Sequence, residues 1–181
     1  MGKSKHPPRY DLPNAAPEPL RFVQLFLNTA DHETGRELLE TPRALADWFR
    51  ANDVDVGSAG SADLRRAHKL REDLRQMIAS GDNAPSLEDA ARRAKLQLTF
   101  TPPRLVPTAA GVDGALGRIA AAVYEAMRDR SWERLKTCRN CGWAFWDESK
   151  NRSGVWCSMQ LCGSRLKVRR YRSRRISTRG R

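Results

Sequence analysis

No stretch of this chain is apolar for long enough to cross a membrane. The first 19 residues carry no apolar export-signal core and include five prolines, Pro7, Pro8, Pro13, Pro17 and Pro19, so a cytoplasmic address is expected. Histidine is scarce, and none of the three is placed for catalysis. His32-Glu33-Thr34-Gly35-Arg36 opens like a metalloprotease helix, but Arg36 stands where the second zinc-binding histidine is required. His6 lies in the proline-rich arm, and His68 is one polar residue on a long helical segment. With no phosphate loop and no pattern of serine, histidine and acid, the sequence predicts no enzyme. Acidic residues also run out, with none after Glu148, and cysteine is missing from the first 137 residues.

All four cysteines fall in one stretch, as Cys138-x2-Cys141-x15-Cys157-x4-Cys162. Two thiolates two residues apart are brought onto one ion by a tight turn, and a second pair completes a closed tetrahedral zinc site. In a reducing compartment such a cluster reads as metal ligands, with two disulfides as the alternative. Charge is as localised as the thiols. Residues 134–181 hold 14 Lys and Arg against Asp147 and Glu148, a net charge of +12 that equals the surplus of the whole chain. The chain therefore reads as a neutral globule with a basic foot.

At 181 residues and 40% hydrophobic content there is enough chain for one packed domain and a small appendage. Residues 1–19 are predicted to be a flexible, proline-rich arm. Leu20, Phe22, Val23, Leu25, Phe26 and Leu27 predict a buried helix that ends near Asn28, although so short an apolar run also suits a strand. Thr41-Pro42 supplies a cap and a first-turn proline for a helix carrying Leu45, Trp48 and Phe49. After a loop at residues 52–60, a long amphipathic helix starts at Ser61 or Asp63. Leu64, Ala67, Leu70, Leu74, Met77 and Ile78 mark its apolar side; Arg65, Arg66, Lys69, Glu72, Asp73 and Arg75 mark its polar side. Gly81 stops it. Ser86-Leu87-Glu88-Asp89 predicts a capping box for a shorter helix. A small hairpin is predicted from Leu96-Gln97-Leu98-Thr99-Phe100 and Arg104-Leu105-Val106, and Leu116, Ile119, Ala120, Val123 and Met127 predict a last helix.

Within the cysteine module, Gly142 is free to make the knuckle turn, while Trp143, Phe145 and Trp146 supply apolar mass. A hairpin tip over residues 147–154 and a returning strand at residues 154–156 are expected, followed by a closing helix capped by Ser158 and running to Arg175. Arginine dominates that helix, and guanidinium suits phosphate or a guanine edge in bidentate fashion, which favours nucleic acid.

These residues also carry a family likeness. Cys138-x2-Cys141-x3-Phe145-x-Asp147-x-Ser149, followed by Val155-Trp156-Cys157-Ser158-Met159-x2-Cys162-Gly163-x-Arg165, resembles the CGNR zinc finger of bacterial, notably actinobacterial, regulators. The preceding part resembles the ABATE domain through Phe26-Leu27-Asn28-Thr29 and Leu45-Ala46-Asp47-Trp48. The resemblance implies a transcription regulator whose finger binds DNA and whose front domain senses a signal or pairs subunits. It departs from the pattern at Ser164, where the family's naming motif has asparagine, and this bears on any base contact made there.

The expected fold is mainly α: a helical domain over residues 20–133 with at most a small β-hairpin, then a treble-clef-like zinc module over residues 134–181. One Zn2+ is expected on Cys138, Cys141, Cys157 and Cys162. Double-stranded DNA is expected on Lys150, Arg152, Ser164, Arg165, Lys167, Arg169, Arg170, Arg172, Arg174 and Arg175. Asn28 and Thr29 are the candidate residues for a small-molecule effector, with helix capping as their other reading. A homodimer is expected, because one short reading helix contacts few base pairs, and bound DNA would place it on the nucleoid. The alternatives are a zinc-stapled protein-interaction module, or an RNA-binding protein if Trp143 and Trp146 are exposed for stacking.

Overall fold

The computed structural model describes residues 14–82 and 84–164, and over these the chain forms five α-helices and three two-stranded antiparallel sheets. Helix α1 (Leu20–Leu27) buries Leu20, Val23, Phe26 and Leu27, which share one face at helical spacing. A minimal hairpin follows, β1 (Ala30–Asp31) against β2 (Arg36–Glu37), additional to the one that periodicity predicts. Helix α2 (Pro42–Arg50) starts as expected, with the Thr41 hydroxyl accepting the Ala44 amide at 3.1 Å. Phe22, Phe26, Trp48 and Phe49 pack their rings together across α1 and α2.

Helix α3 (Ser61–Ser80) is the long amphipathic segment, and it ends at Gly81 in a left-handed conformation with φ +76°. Its inward stripe is Ala67, Leu70, Arg71, Leu74 and Arg75. Arg75 therefore departs from its predicted place on the polar side, because backbone carbonyls of other elements wait for it inside. Helix α4 (Pro85–Arg93) begins one residue before the predicted Ser86 cap; proline suits the first helical position, and the Ser86 amide donates to Asp73 instead, at 3.3 Å. The predicted hairpin is β3 (Gln97–Phe100) with β4 (Pro103–Val106), in the register Leu98 opposite Leu105.

Helix α5 (Gly111–Arg128) runs through the centre and is buried nearly all round its first four turns. Its small residues allow that. A Cβ at Gly117 would overlap the Ala94 methyl at the end of α4, and one at Gly114 would overlap the Ala109 carbonyl. After a 3-10 turn (Ser131–Arg134), β5 (Leu135–Thr137) pairs with β6 (Ala144–Trp146), and the knuckle forms the loop between them. Residues 154–156, predicted as a strand, are irregular: they are held by the Arg139 amide on the Val155 carbonyl and by side chains, not by a ladder. Leu135 and Ala144 belong to the main core, whereas Trp143, Phe145 and the four cysteines form a second one.

The last residues of the predicted arm are held in place. Asn14 and Ala16 bond to the Gln24 side chain, and the Asn14 carbonyl also accepts the Trp146 amide at 3.0 Å. None of the described helices is long and apolar enough to cross a membrane.

Candidate metal centre

The hairpin β5–β6 presents Cys138 and Cys141 in its connecting loop. Gly142 adopts φ +74°, and its amide bonds the Cys138 carbonyl at 2.8 Å, which closes the knuckle turn. The amides of Asn140 and Trp143 consequently point at the sulfurs of Cys138 and Cys141. The second pair is set by a helix start. Ser158 caps a one-turn π-helix (Met159–Gly163), its hydroxyl accepting the Leu161 amide at 3.2 Å, and this turns Cys162 back toward Cys157.

All four sulfurs are buried, unpaired by disulfides and within 4.8 Å of one another. The separations Cys141–Cys157, Cys157–Cys162 and Cys162–Cys141 are 3.7, 3.7 and 3.6 Å. A regular tetrahedron with Zn–S bonds of about 2.3 Å has edges of about 3.8 Å, so the cage fits zinc. A disulfide needs about 2.05 Å, so the disulfide alternative does not fit this cage. Asn140 Nδ2 approaches Cys162 Sγ at 3.6 Å, an outer-shell donor to a thiolate.

Proton affinities show why a cation belongs here. Hydrogen bonds from the Cys141 and Cys157 thiols hold Cys138 far below the usual thiol range. That same thiolate pushes Cys141 up to about 12 and Cys157 higher still. Crowded thiolates repel, and a divalent ion at the centre lets all of them ionise. The cluster is thus a structural site for one Zn2+, with four protein ligands and no open position for chemistry.

Asp147 braces the module from within. It is 3% exposed, and it accepts from Lys136 Nζ at 2.6 Å, the Gly154 amide at 2.8 Å and the Ser149 amide at 3.0 Å. Burial alone raises such a carboxyl, but the bonds from Lys136 and Ser149 outweigh it and bring Asp147 down to about 2. A side chain at Gly154 would collide with this carboxylate.

The module docks on the front domain through polar side chains that serve backbone groups. Asn28 donates to the Ala144 carbonyl at 2.9 Å and accepts the Ala144 amide at 2.8 Å; Gln24 donates to the same carbonyl at 3.1 Å. The free edge of β6 is thereby satisfied. Arg75, 8% exposed, donates to the Gly142 carbonyl at 2.6 Å, to Leu27 at 2.5 Å and to Ala30 at 3.0 Å. It ties the knuckle to the end of α1. Burial pulls its guanidinium below its ordinary value, while Glu72 opposes that. Arg71, beside it, pairs with Glu37 at 2.5 Å and donates to the Thr29 hydroxyl at 2.8 Å.

These contacts correct the effector expectation for Asn28 and Thr29. Both are buried and spend their hydrogen-bonding capacity on protein partners, Thr29 also donating to the Phe26 carbonyl at 2.7 Å. Burial of Trp143, together with the packing of Trp146 against the main core, also argues against base stacking by these two rings. Of the predicted nucleic-acid residues, Lys150 is exposed between β6 and Cys157, Arg152 pairs with Glu133, and the exposed Ser164 hydroxyl donates to the Met159 carbonyl at 3.1 Å. Arg165, Lys167, Arg169, Arg170, Arg172, Arg174 and Arg175 lie outside the described residues, as does most of the predicted closing helix. Sequence reasoning missed Gln24, Arg75 and the bracing role of Asp147. For Arg75 a signal existed: it follows Ala67, Leu70 and Leu74 on the apolar stripe of α3.

A four-thiolate module seated on a helical domain defines a two-part zinc-finger protein. The chain belongs to the ABATE family, described as "Putative stress-induced transcription regulator", whose model matches residues 20–130, and it continues into a CGNR zinc finger matched over residues 134–175. Among proteins of curated function, none matches this sequence.

Proposed function

We propose that this protein is a zinc-dependent regulator that binds double-stranded DNA, a binding protein and not an enzyme. The carrying observation is continuity: Cys162 closes the metal cage, and the next 13 residues, 163–175, hold seven Lys and Arg and no acid. Zinc fixes the position of Cys162, the residue that this cationic run follows in sequence. Lys150, Arg152 and Ser164 on the same module, with the seven cations that follow, form the DNA-contacting set. The front domain pairs two copies. The apolar side chains Leu98 and Phe100 support this reading, since they are exposed by 57% and 78% on one face of β3, and light scattering at micromolar concentration would give twice the chain mass.

Fluorescence anisotropy of the zinc-loaded protein with duplex DNA tests the reading. If six cations meet phosphates, log affinity falls against log salt with a slope of about −5. Absence of salt-dependent binding would overturn it. A complex with an acidic protein that survives nuclease treatment would favour the interaction-module alternative.

A further inference from the structure

A groove of about 710 Å3 lies where the helical domain meets the zinc module. Its floor is apolar, with Met77 and Ile78 from the end of α3, Met127 from the end of α5, and Trp132 from the 3-10 turn. Met127 stands 50% exposed, so this floor is open to solvent. The opposite wall belongs to the module: Val155 and three cations, Lys136, Arg139 and Arg152, face a single acid, Glu133.

Two of those cations are engaged. Lys136 serves Asp147 and the carbonyls of Arg152 and Gly154, while Arg152 pairs with Glu133. Arg139 is exposed on the knuckle, with no ion pair among the described residues. The groove thus offers an uncovered apolar bed and one uncommitted guanidinium, within the volume range of small-molecule sites. A cation would meet a net positive wall, and a polyanion would need more free positive charge than Arg139 provides.

We propose that this groove binds an amphipathic carboxylate, an aromatic or medium-chain acid. Its apolar body lies on Met77, Met127 and Trp132, and its carboxylate pairs with Arg139. The inference rests on the regulator reading in one respect: because the two walls come from the two halves of the chain, occupancy changes their fit and thereby the affinity of the module for DNA. The effector site is thus moved from Asn28 and Thr29 to the domain junction.

Calorimetric titration of the zinc-loaded full chain with 1-naphthoate and octanoate, and with the neutral 1-naphthamide and octanamide, tests this. At least one acid should bind saturably and about tenfold more tightly than its amide, as loss of one charge-assisted pair implies. Arg139→Gln and Met127→Glu should each weaken it about tenfold while zinc content and Tm stay as in the parent. No saturable binding of either acid, or binding that both variants leave unchanged, would overturn the site. Duplex affinity with and without the acid separates the two readings. Acid binding in a protein that ignores DNA leaves the groove standing and removes the regulator. DNA binding without acid binding does the reverse, and duplex affinity indifferent to bound acid overturns the coupling.

Discussion

Asn28 presents a donor and an acceptor in one plane, and Ala144 uses both. Its truncation leaves two buried backbone groups of an edge strand with fewer partners. Asn28→Ala should lower stability by about 1–3 kcal/mol in urea unfolding of the zinc-loaded protein. Asn28→Asp should cost at least as much, because a carboxylate would then face the Ala144 carbonyl. Asp147 works on the same principle with charge added. Its folded-state pKa of about 2 lies below the unfolded value of about 4, so its contribution is complete at neutral pH and disappears as pH falls from about 4 toward 2. Asp147→Asn should therefore destabilise the module by about 1–3 kcal/mol at pH 7, since Lys136 and two amides lose their anion. The gap from the parent, followed by chemical unfolding against pH, should narrow only below about pH 4.

Helix α5 has little freedom in how it is packed, because two glycines let its neighbours approach where a methyl has no room. Gly117→Ala would favour the isolated helix by about 1 kcal/mol, yet the added carbon meets the Ala94 methyl. Neither group can swing aside, so we expect net destabilisation of about 1–3 kcal/mol, measurable as a lower Tm by circular dichroism. The ends of the elements follow local chemistry more openly. Thr41 caps α2 and Gly81 ends α3, as their residue types dictate. At the start of α4, Pro85 and the capping-box pattern at Ser86 compete within two residues, and proline prevails.

Zinc, docking and charge converge in the whole molecule. Leu135 and Ala144 sit in the main core although they belong to the zinc module, so the two parts share buried surface. Removing the metal with a chelator should release the second core around Trp143, seen as a red shift of tryptophan emission, and lower the Tm of the whole chain as well as that of the module. A melt whose front-domain transition is untouched by the chelator would show that the two parts are independent. The same treatment should abolish salt-dependent duplex binding, since the cationic run would lose its anchor at Cys162.

The sequence by itself determined the five described α-helices, the caps at Thr41 and Gly81, the β3–β4 hairpin and the grouping of four thiols around one ion. Each of these depends on residues a few positions apart or on a spacing with one geometric solution. Only the tertiary structure decided what Asn28 and Arg75 do, because their partners lie 116 and 67 residues away, and no periodicity encodes which distant carbonyl a side chain will meet. The groove at the junction has the same origin. Its floor and its cationic wall come from opposite halves of the chain, and they become one surface only when β6 settles against α1.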